Sequence, residues 1–293
     1  MVAQVLEHLA PSRGGLFVDC TVGLGGHSRA LLEAGATRLI GIDRDPAALA
    51  IAAERLKETA DKSGASIELV HSDYRAIDSV LDARGLSAVD GILADLGVSS
   101  MQLDEPRGFS FRRDEPLDMR MDTTAGPTAA EALRDAGEQT LADVIYQFGE
   151  ERHARRVARA IVAARGAIET TGQLADIVRR AIPRKGFSRI DPATRTFQAI
   201  RIWVNRELEG LDTFIGAAVQ RLAPHGRLVV ISFHSLEDRI VKHTLRSLQA
   251  RHDVGLTIRT KRPLVPDEQE IERNPRARSA KLRAAERQER TTS

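Results

Sequence analysis

Short apolar, β-branched runs alternate with stretches of helical periodicity over the first third of the chain. Leu16–Cys20, Leu39–Asp43, Ile67–Val70 and Val89–Asp95 read as strands, and Ser28–Ala34 and Pro46–Ala60 between them as helices. Pro46 suits a first helical turn, where its missing N–H would have no partner anyway. Strands separated by helices at this spacing predict right-handed crossovers and a parallel sheet. The pattern breaks after Ser100. Gln102 to Asp122 is rich in Arg, Asp, Gly, Pro and Met and too long for an ordinary connection. Thr128 to Arg180 then reads as helix throughout, in segments Ala129–Ala136, Thr140–Phe148, Glu150–Arg165 and Thr171–Arg180. An amphipathic stretch from Ala193 to Leu222 follows, in one piece or two. The first pattern returns with a strand at Arg227–Phe233 and a helix at Ser235–Leu248, where Ser235 and Asp238 have capping-box spacing. Thr257–Arg262 reads as a last strand. The expected organisation is an α/β domain made of residues 1–104 and 205–293, with an α-helical insertion at 105–204.

Composition narrows the class without naming it. The 293 residues are 42% hydrophobic and 29% charged, near ordinary globular values. Cys20 is the only cysteine, so a disulfide framework and Cys-rich metal sites are excluded, and no metal site is expected. The chain shows no secretory pattern and no apolar run of bilayer length, so a soluble, cytoplasmic protein is expected. Net charge is only +2, but its distribution is uneven. Arg273, Arg276, Arg278, Lys281, Arg283, Arg287 and Arg290 crowd the C-terminal tail, and Arg179, Arg180, Arg184, Lys185, Arg189 and Arg195 form a second run. Two such runs with few interleaved acids suggest a phosphate-rich partner.

The candidate chemistry lies at the strand ends. Val18-Asp19-Cys20-Thr21-Val22-Gly23-Leu24-Gly25-Gly26-His27-Ser28 is a glycine-rich turn between strand and helix, which lets a ligand approach the backbone and meet helix N–H groups. Dinucleotide enzymes use the same device, but a fingerprint begun at Gly23 would need Gly or Ala where Ser28 stands. An acid at the end of the first strand, Asp19, is typical of S-adenosylmethionine binders. Asp43 ends the second strand roughly 20 residues beyond the glycines, placed to accept from ribose hydroxyls, while Asp45 suits a helix N-cap ahead of Pro46. After the third strand, Tyr74 could stack on adenine and Asp73 accept from its amino group; either could equally be a turn residue. Asp95 ends the fourth strand, one strand from the glycine turn. A carboxylate there can accept the N–H of an exocyclic base amine and take its proton as the nitrogen is alkylated. His27, opening a helix beside the glycines, suits a contact to a cofactor carboxylate.

Nine segments match one family in order: the Asp19–Ser28 turn, Ile42–Pro46, Asp95–Ser100, Arg107-Gly108-Phe109-Ser110-Phe111, Pro116–Met121, Tyr146–Glu151, Ala193–Ala199, Ser232–Arg239 and Asn274–Ser279. Together they resemble the ribosomal RNA small subunit methyltransferase H family, RsmH or MraW, over nearly the whole chain. The resemblance implies a Rossmann-like S-adenosylmethionine-dependent methyltransferase fold and methylation of the N4 amine of a cytidine in the decoding region of 16S rRNA. It implies cofactor contacts at Gly25, Gly26, His27, Asp43, Tyr74, Asp95 and Gln102, with Asp95 also the catalytic acceptor. The partner is then the small ribosomal subunit or its RNA, held by the helical insertion with arginines such as Arg112, Arg113, Arg189, Arg195 and those of the tail; a homodimer remains open. The family's further N-terminal His-Xaa-Pro-Val-like segment has no counterpart before Val5-Leu6, and Leu248–Arg273 is short.

Other readings carry less. A DNA amino-methyltransferase would usually place an (Asp/Asn/Ser)-Pro-Pro-aromatic tetrapeptide where Asp95-Leu96-Gly97-Val98 stands. A non-catalytic ribosome assembly factor would bind the same partner without turnover, and Ser28 disfavours a nicotinamide dehydrogenase. His234, Ser235, Glu237 and Asp238 suggest a hydrolytic triad, but sequence neighbours rarely converge so, and capping explains them better. Trp203 is expected to pack in a core, Cys20 to be a small buried hydrophobe, and Arg112, Arg113 and Arg120 either to meet RNA phosphates or to pair with nearby acids.

Overall fold

The computed structural model describes residues 1–183, 191–251 and 253–289. The chain opens with α1 (Val2–Leu9), β1 (Leu16–Asp19), α2 (Gly26–Glu33), β2 (Arg38–Asp43), α3 (Pro46–Ser63), β3 (Ser66–His71), α4 (Ile77–Asp82) and β4 (Val89–Asp95). The middle is helical: α5 (Ser100–Asp104), α6 (Ala129–Asp135), α7 (Glu138–Gly149), α8 (Ala154–Ala164), α9 (Thr171–Ala181) and α10 (Ala193–Asn205). It closes with α11 (Leu211–Gln220), β5 (Leu222–Ser232), α12 (Ser235–Ala250), β6 (Leu256–Ile258), α13 (Glu268–Arg273) and β7 (Lys281–Arg287). Two compact units result, Met1–Gly97 with Leu208–Ser293, and Val98–Glu207.

In the first unit the strands form one sheet in the order β3-β2-β1-β4-β5-β7-β6. The first five pair in parallel, while β7 runs antiparallel to both β5 and β6. This is a Rossmann-like α/β fold, and the strand order reverses beside β1, where such sheets open a crevice at their carboxyl ends. One buried cluster joins Val18, Ile40, Ile92 and Val230 of the sheet to Phe214 of α11 and Val241 of α12. The other joins Phe17, Leu39, Leu93 and Val229 to Val5 of α1, Leu31 of α2 and Leu56 of α3. Alternate residues of each strand thus feed opposite faces, as a sheet covered on both sides requires.

The tail differs from its reading as a basic extension. Lys281–Arg287 is β7, hydrogen-bonded on both edges. Its Arg-Ala-Ala-Glu-Arg composition carries no strand signal. Long-range partners stabilise it: Arg283 binds both oxygens of Asp238 at 2.7 and 3.3 Å, and Arg227 meets Glu286 at 2.8 Å. The last strand read at Thr257–Arg262 is the shorter β6. The Ala193–Leu222 stretch divides at Arg206, whose φ of 51° ends α10. The capping box before α12 is one residue earlier than its spacing suggested: His234 is the N-cap and Glu237 its partner.

The second unit has its own core, including Leu117, Met119, Leu133, Ile145, Val157, Ile161, Leu174 and Ile200, with Trp203 packed against it. The long segment read as a loop is tied down at fixed points. Asn205 accepts from the Met121 N–H and donates to the Met119 carbonyl, both at 2.7 Å. Arg107 donates to the carbonyls of Arg120 and Met121, also at 2.7 Å. Among the described residues no helix is long and apolar enough to cross a membrane.

Candidate functional site

Three acids end three parallel strands on the carboxyl side of the sheet: Asp19 on β1, Asp43 on β2 and Asp95 on β4. Each is tied to the glycine turn. Asp19 is buried, accepting from Ser28 Oγ at 2.7 Å and from the Thr21 N–H at 3.1 Å. Ser28, the residue that breaks the dinucleotide fingerprint, is therefore the donor that this buried carboxylate needs. Asp43 accepts from the Gly23 N–H at 2.7 Å and from the Asp45 N–H at 2.9 Å, clasping the turn to the end of β2. Thr21 Oγ1 accepts from the Asp95 N–H at 2.7 Å, which joins the turn to β4. The turn thus reaches α2 in a single conformation. Gly25 is the N-cap at φ 81°, a left-handed conformation that glycine adopts without strain, and a side chain on Gly26 would point into open space.

His27 and Asp95 face each other across this turn, Nε2 to Oδ2 at 3.5 Å. The other ring nitrogen, Nδ1, and the other oxygen, Oδ1, are buried without a hydrogen-bond partner. Such groups are costly inside a protein unless something meets them. Burial disfavours the imidazolium of His27, but the hydrogen bond and charge of Asp95 and the charge of Asp19 outweigh it, and the pKa is raised. Burial pushes the Asp19 carboxyl up to about 6 against the Ser28 hydrogen bond. Burial likewise raises Asp43, moderated by its two backbone donors.

The residues after β3 divide differently. Asp73 caps the turn at Tyr74 and forms ion pairs with Arg75 at 2.6 Å and Arg44 at 3.6 Å; these hold its carboxyl below the usual range despite burial. Tyr74 is buried with its ring 4.7 Å from that of Phe214, and burial raises its hydroxyl pKa. Gln102 belongs to the helical unit, where its Oε1 accepts from the Ser99 N–H at 2.9 Å and closes the capping box of α5. Asp45 is the N-cap of α3, accepting from Ala47 and Ala48. The structure therefore gathers Gly25, Gly26, His27, Asp43 and Asp95 at the carboxyl end of the sheet. Ser28 and Thr21 belong to the same cluster, and the motif reading gave them no place in it. A short side chain beside a buried acid was the available signal.

Of the arginines considered for phosphate contact, Arg112 is exposed. Arg113 donates to the Asp104 carbonyl and pairs with Glu115 at 3.2 Å, and Arg120 binds Asp118 through both oxygens. In the tail Arg276 and Arg278 are exposed, whereas Arg283 is nearly covered and Arg287 donates to the carbonyls of Gln220 and Leu222. Arg184, Lys185, Arg189 and Arg290 lie outside the described residues.

Residues 1–288 match the family model of the MraW methylase family. The ribosomal RNA small subunit methyltransferase H of Bradyrhizobium diazoefficiens is 53% identical, over 97% of this chain and 89% of that protein. The proteins of that name from Synechococcus elongatus and Sorangium cellulosum are 52% and 50% identical over 97% of this chain, and over 92% and 88% of their own lengths.

Proposed function

The chain belongs to the MraW methylase family, and from that membership we propose that it methylates the N4 amine of a cytidine in the decoding region of small-subunit rRNA, using S-adenosylmethionine. The observation that carries this reading is the near-complete alignment with ribosomal RNA small subunit methyltransferases H at about half identity. The glycine turn supports the cofactor. Gly26 opens onto free space, and the unpaired Nδ1 of His27 and Oδ1 of Asp95 are buried polar atoms beside it. Asp43 keeps a second lone pair on each oxygen for ribose hydroxyls while its first pairs hold the turn. When bound, the cofactor supplies an electrophilic methyl group on a sulfonium.

Asp95 is the residue for the proton. The lone pair of a cytosine amine is delocalised into the ring, so alkylation needs an acceptor for the N–H as the nitrogen becomes tetrahedral. In this reading the bound cofactor would supply the methyl group to the amine nitrogen, and Asp95 would take the N–H proton that the nitrogen gives up. His27 keeps Asp95 oriented through the 3.5 Å contact. The base must be unpaired or turned outward to reach such a group, so a folded ribosomal particle is preferred over free RNA. The arginines exposed to solvent, Arg112 and Arg195 among them, then serve phosphates of the RNA.

Nucleoside mass spectrometry decides the matter after incubation with undermethylated small subunits, naked rRNA and duplex DNA. N4-methylcytidine in the first is expected. Methyl groups on DNA, on adenine or on cytosine carbon 5 would overturn the substrate, and equal rates on naked rRNA only the particle preference.

A further inference from the structure

Two family-matching segments have no part in the chemistry at the glycine turn: Tyr146–Glu151 and Ala193–Ala199. In the helical unit they meet. Gly149 ends α7 so close to α10 that a side chain on it would come within 2.6 Å of the Arg195 carbonyl. Gln198 donates to the Phe148 carbonyl at 3.1 Å, and Arg195 donates to the Glu150 carbonyl at 3.4 Å. Glu150 turns the chain at φ 50°, and the buried Glu151 accepts from the His153 N–H at 2.8 Å as α8 begins. Gly149, Glu150 and Glu151 thus build a corner between α7, α8 and α10.

Tyr146 does none of this. It sits in the last turn of α7 with 64% of its surface exposed, the most exposed large hydrophobic side chain among the described residues. Just across the corner, Arg152 lies exposed in the turn before α8, and Arg155 and Arg156 lie exposed on the side of α8 opposite the buried Ala154, Val157 and Ala158. None of the three makes a side-chain hydrogen bond or ion pair with another described residue. Arg195, 54% exposed, reaches the same corner from α10, with Glu151 3.9 Å away. An exposed aromatic ring at the end of one helix, followed across a short turn by guanidinium groups without a partner, is the chemistry of single-stranded nucleic acid binding: the ring stacks on a base and the cations hold phosphates.

The geometry points to this corner as an RNA-docking surface, with Tyr146 stacking on an unpaired base and Arg152, Arg155, Arg156 and Arg195 holding the phosphates beside it. It rests on the reading of the protein as an rRNA methyltransferase and adds a contact that the strand-end site does not supply.

Filter binding of the full chain to protein-stripped 16S rRNA and to intact undermethylated small subunits, across a salt series, tests it. Tyr146→Ala should weaken binding to stripped rRNA about fivefold or more, and Tyr146→Phe should retain it. R155A/R156A should lower the slope of log affinity against log salt by about 1.4–1.8, the release expected for two phosphate contacts. In both, S-adenosylmethionine binding by calorimetry should stay at the wild-type value, which also shows that the variants fold. Wild-type affinity and slope in these variants overturn the docking surface and leave the methyltransferase reading intact. A loss confined to intact subunits assigns the corner to a ribosomal protein and overturns it as well. A wild-type chain that binds neither probe overturns both readings.

Discussion

One set of charged groups in each unit shows how differently the same residue types can be used. In the α/β unit Asp19, Asp43, Asp95 and Arg283 are buried or half-buried, and each is fixed by partners elsewhere in the chain. In the helical unit Arg152, just before α8, and Arg155, Arg156 and Arg159 along one side of it lie in water. In the sequence Arg283 and Arg155 both stand among other basic residues. Their roles differ because a buried charge without a partner costs several kcal/mol, whereas an exposed one costs almost nothing until a ligand arrives. Charge density along a chain therefore does not identify a binding surface; the partners that folding supplies do.

Removing Arg283 should make the largest difference. Arg283→Ala leaves Asp238, only 14% exposed, with Lys281 at 3.6 Å as its remaining cation. Breaking such a pair typically costs about 3–5 kcal/mol. Urea denaturation should show a loss of that order, and a loss below about 1 kcal/mol would mean that the tail tolerates the change like a surface arm.

Asp19 tests the same contrast through pH. Its carboxyl titrates near 6 when folded against an ordinary value of 3.8, so the folded state holds the proton more tightly. The stability this contributes is fully present below about pH 4 and is lost as pH rises through 6. Asp19→Asn cannot ionise and can still meet Ser28 and Thr21. Relative to the parent it should be no more stable at pH 4 and more stable at pH 7.5, by on the order of 3 kcal/mol, the cost of ionising a carboxyl whose proton is held that much more tightly. A gap independent of pH would show that Asp19 is not held against its charge.

Asp95 sharpens the comparison at the level of rate. Asp95→Ala should slow single-turnover methyl transfer at saturating cofactor by at least about 100-fold, the low end for a positioned acid–base group. If cofactor affinity falls while the saturated rate is intact, Asp95 holds the cofactor and does not take the proton.

The legible parts of the fold were those written in local pattern. Strands β1, β2 and β4 announce themselves because both faces are covered and the runs are apolar, and the edge strand β3 through its Ile-Glu-Leu-Val alternation. The strand-end acids and glycines follow from their places. Strand β7 was not legible, since Lys281, Arg283 and Glu286 become strand residues only through Asp238 and Arg227, about 45 and 59 positions away. The packing of Tyr74 against Phe214 was not legible either, because nothing local reveals that partner. The capping box shifted by one residue because Ser235-Asp238 and His234-Glu237 share the same spacing, and the extended backbone at His234 makes it the cap. The α7–α10 corner was present as two motifs, but their meeting is a tertiary fact.

The smallest expected effect lies on α8 itself. Arg159 and Glu138 approach to 3.5 Å with side chains 76% and 45% exposed. Water screens such a pair, and holding two long side chains together costs conformational entropy, so exposed pairs contribute between nothing and about 1 kcal/mol. Arg159→Ala also leaves the buried Val157, Ala158 and Ile161 untouched, and alanine favours helix slightly over arginine. The stability of the whole chain should therefore change by less than about 0.5 kcal/mol in urea denaturation, with the same denaturant slope. The Arg283→Ala loss, measured alongside, sets the scale. A loss above about 1.5 kcal/mol for Arg159→Ala would place α8's cations among the structural charges, and the difference drawn between the two units would fail on its helical side.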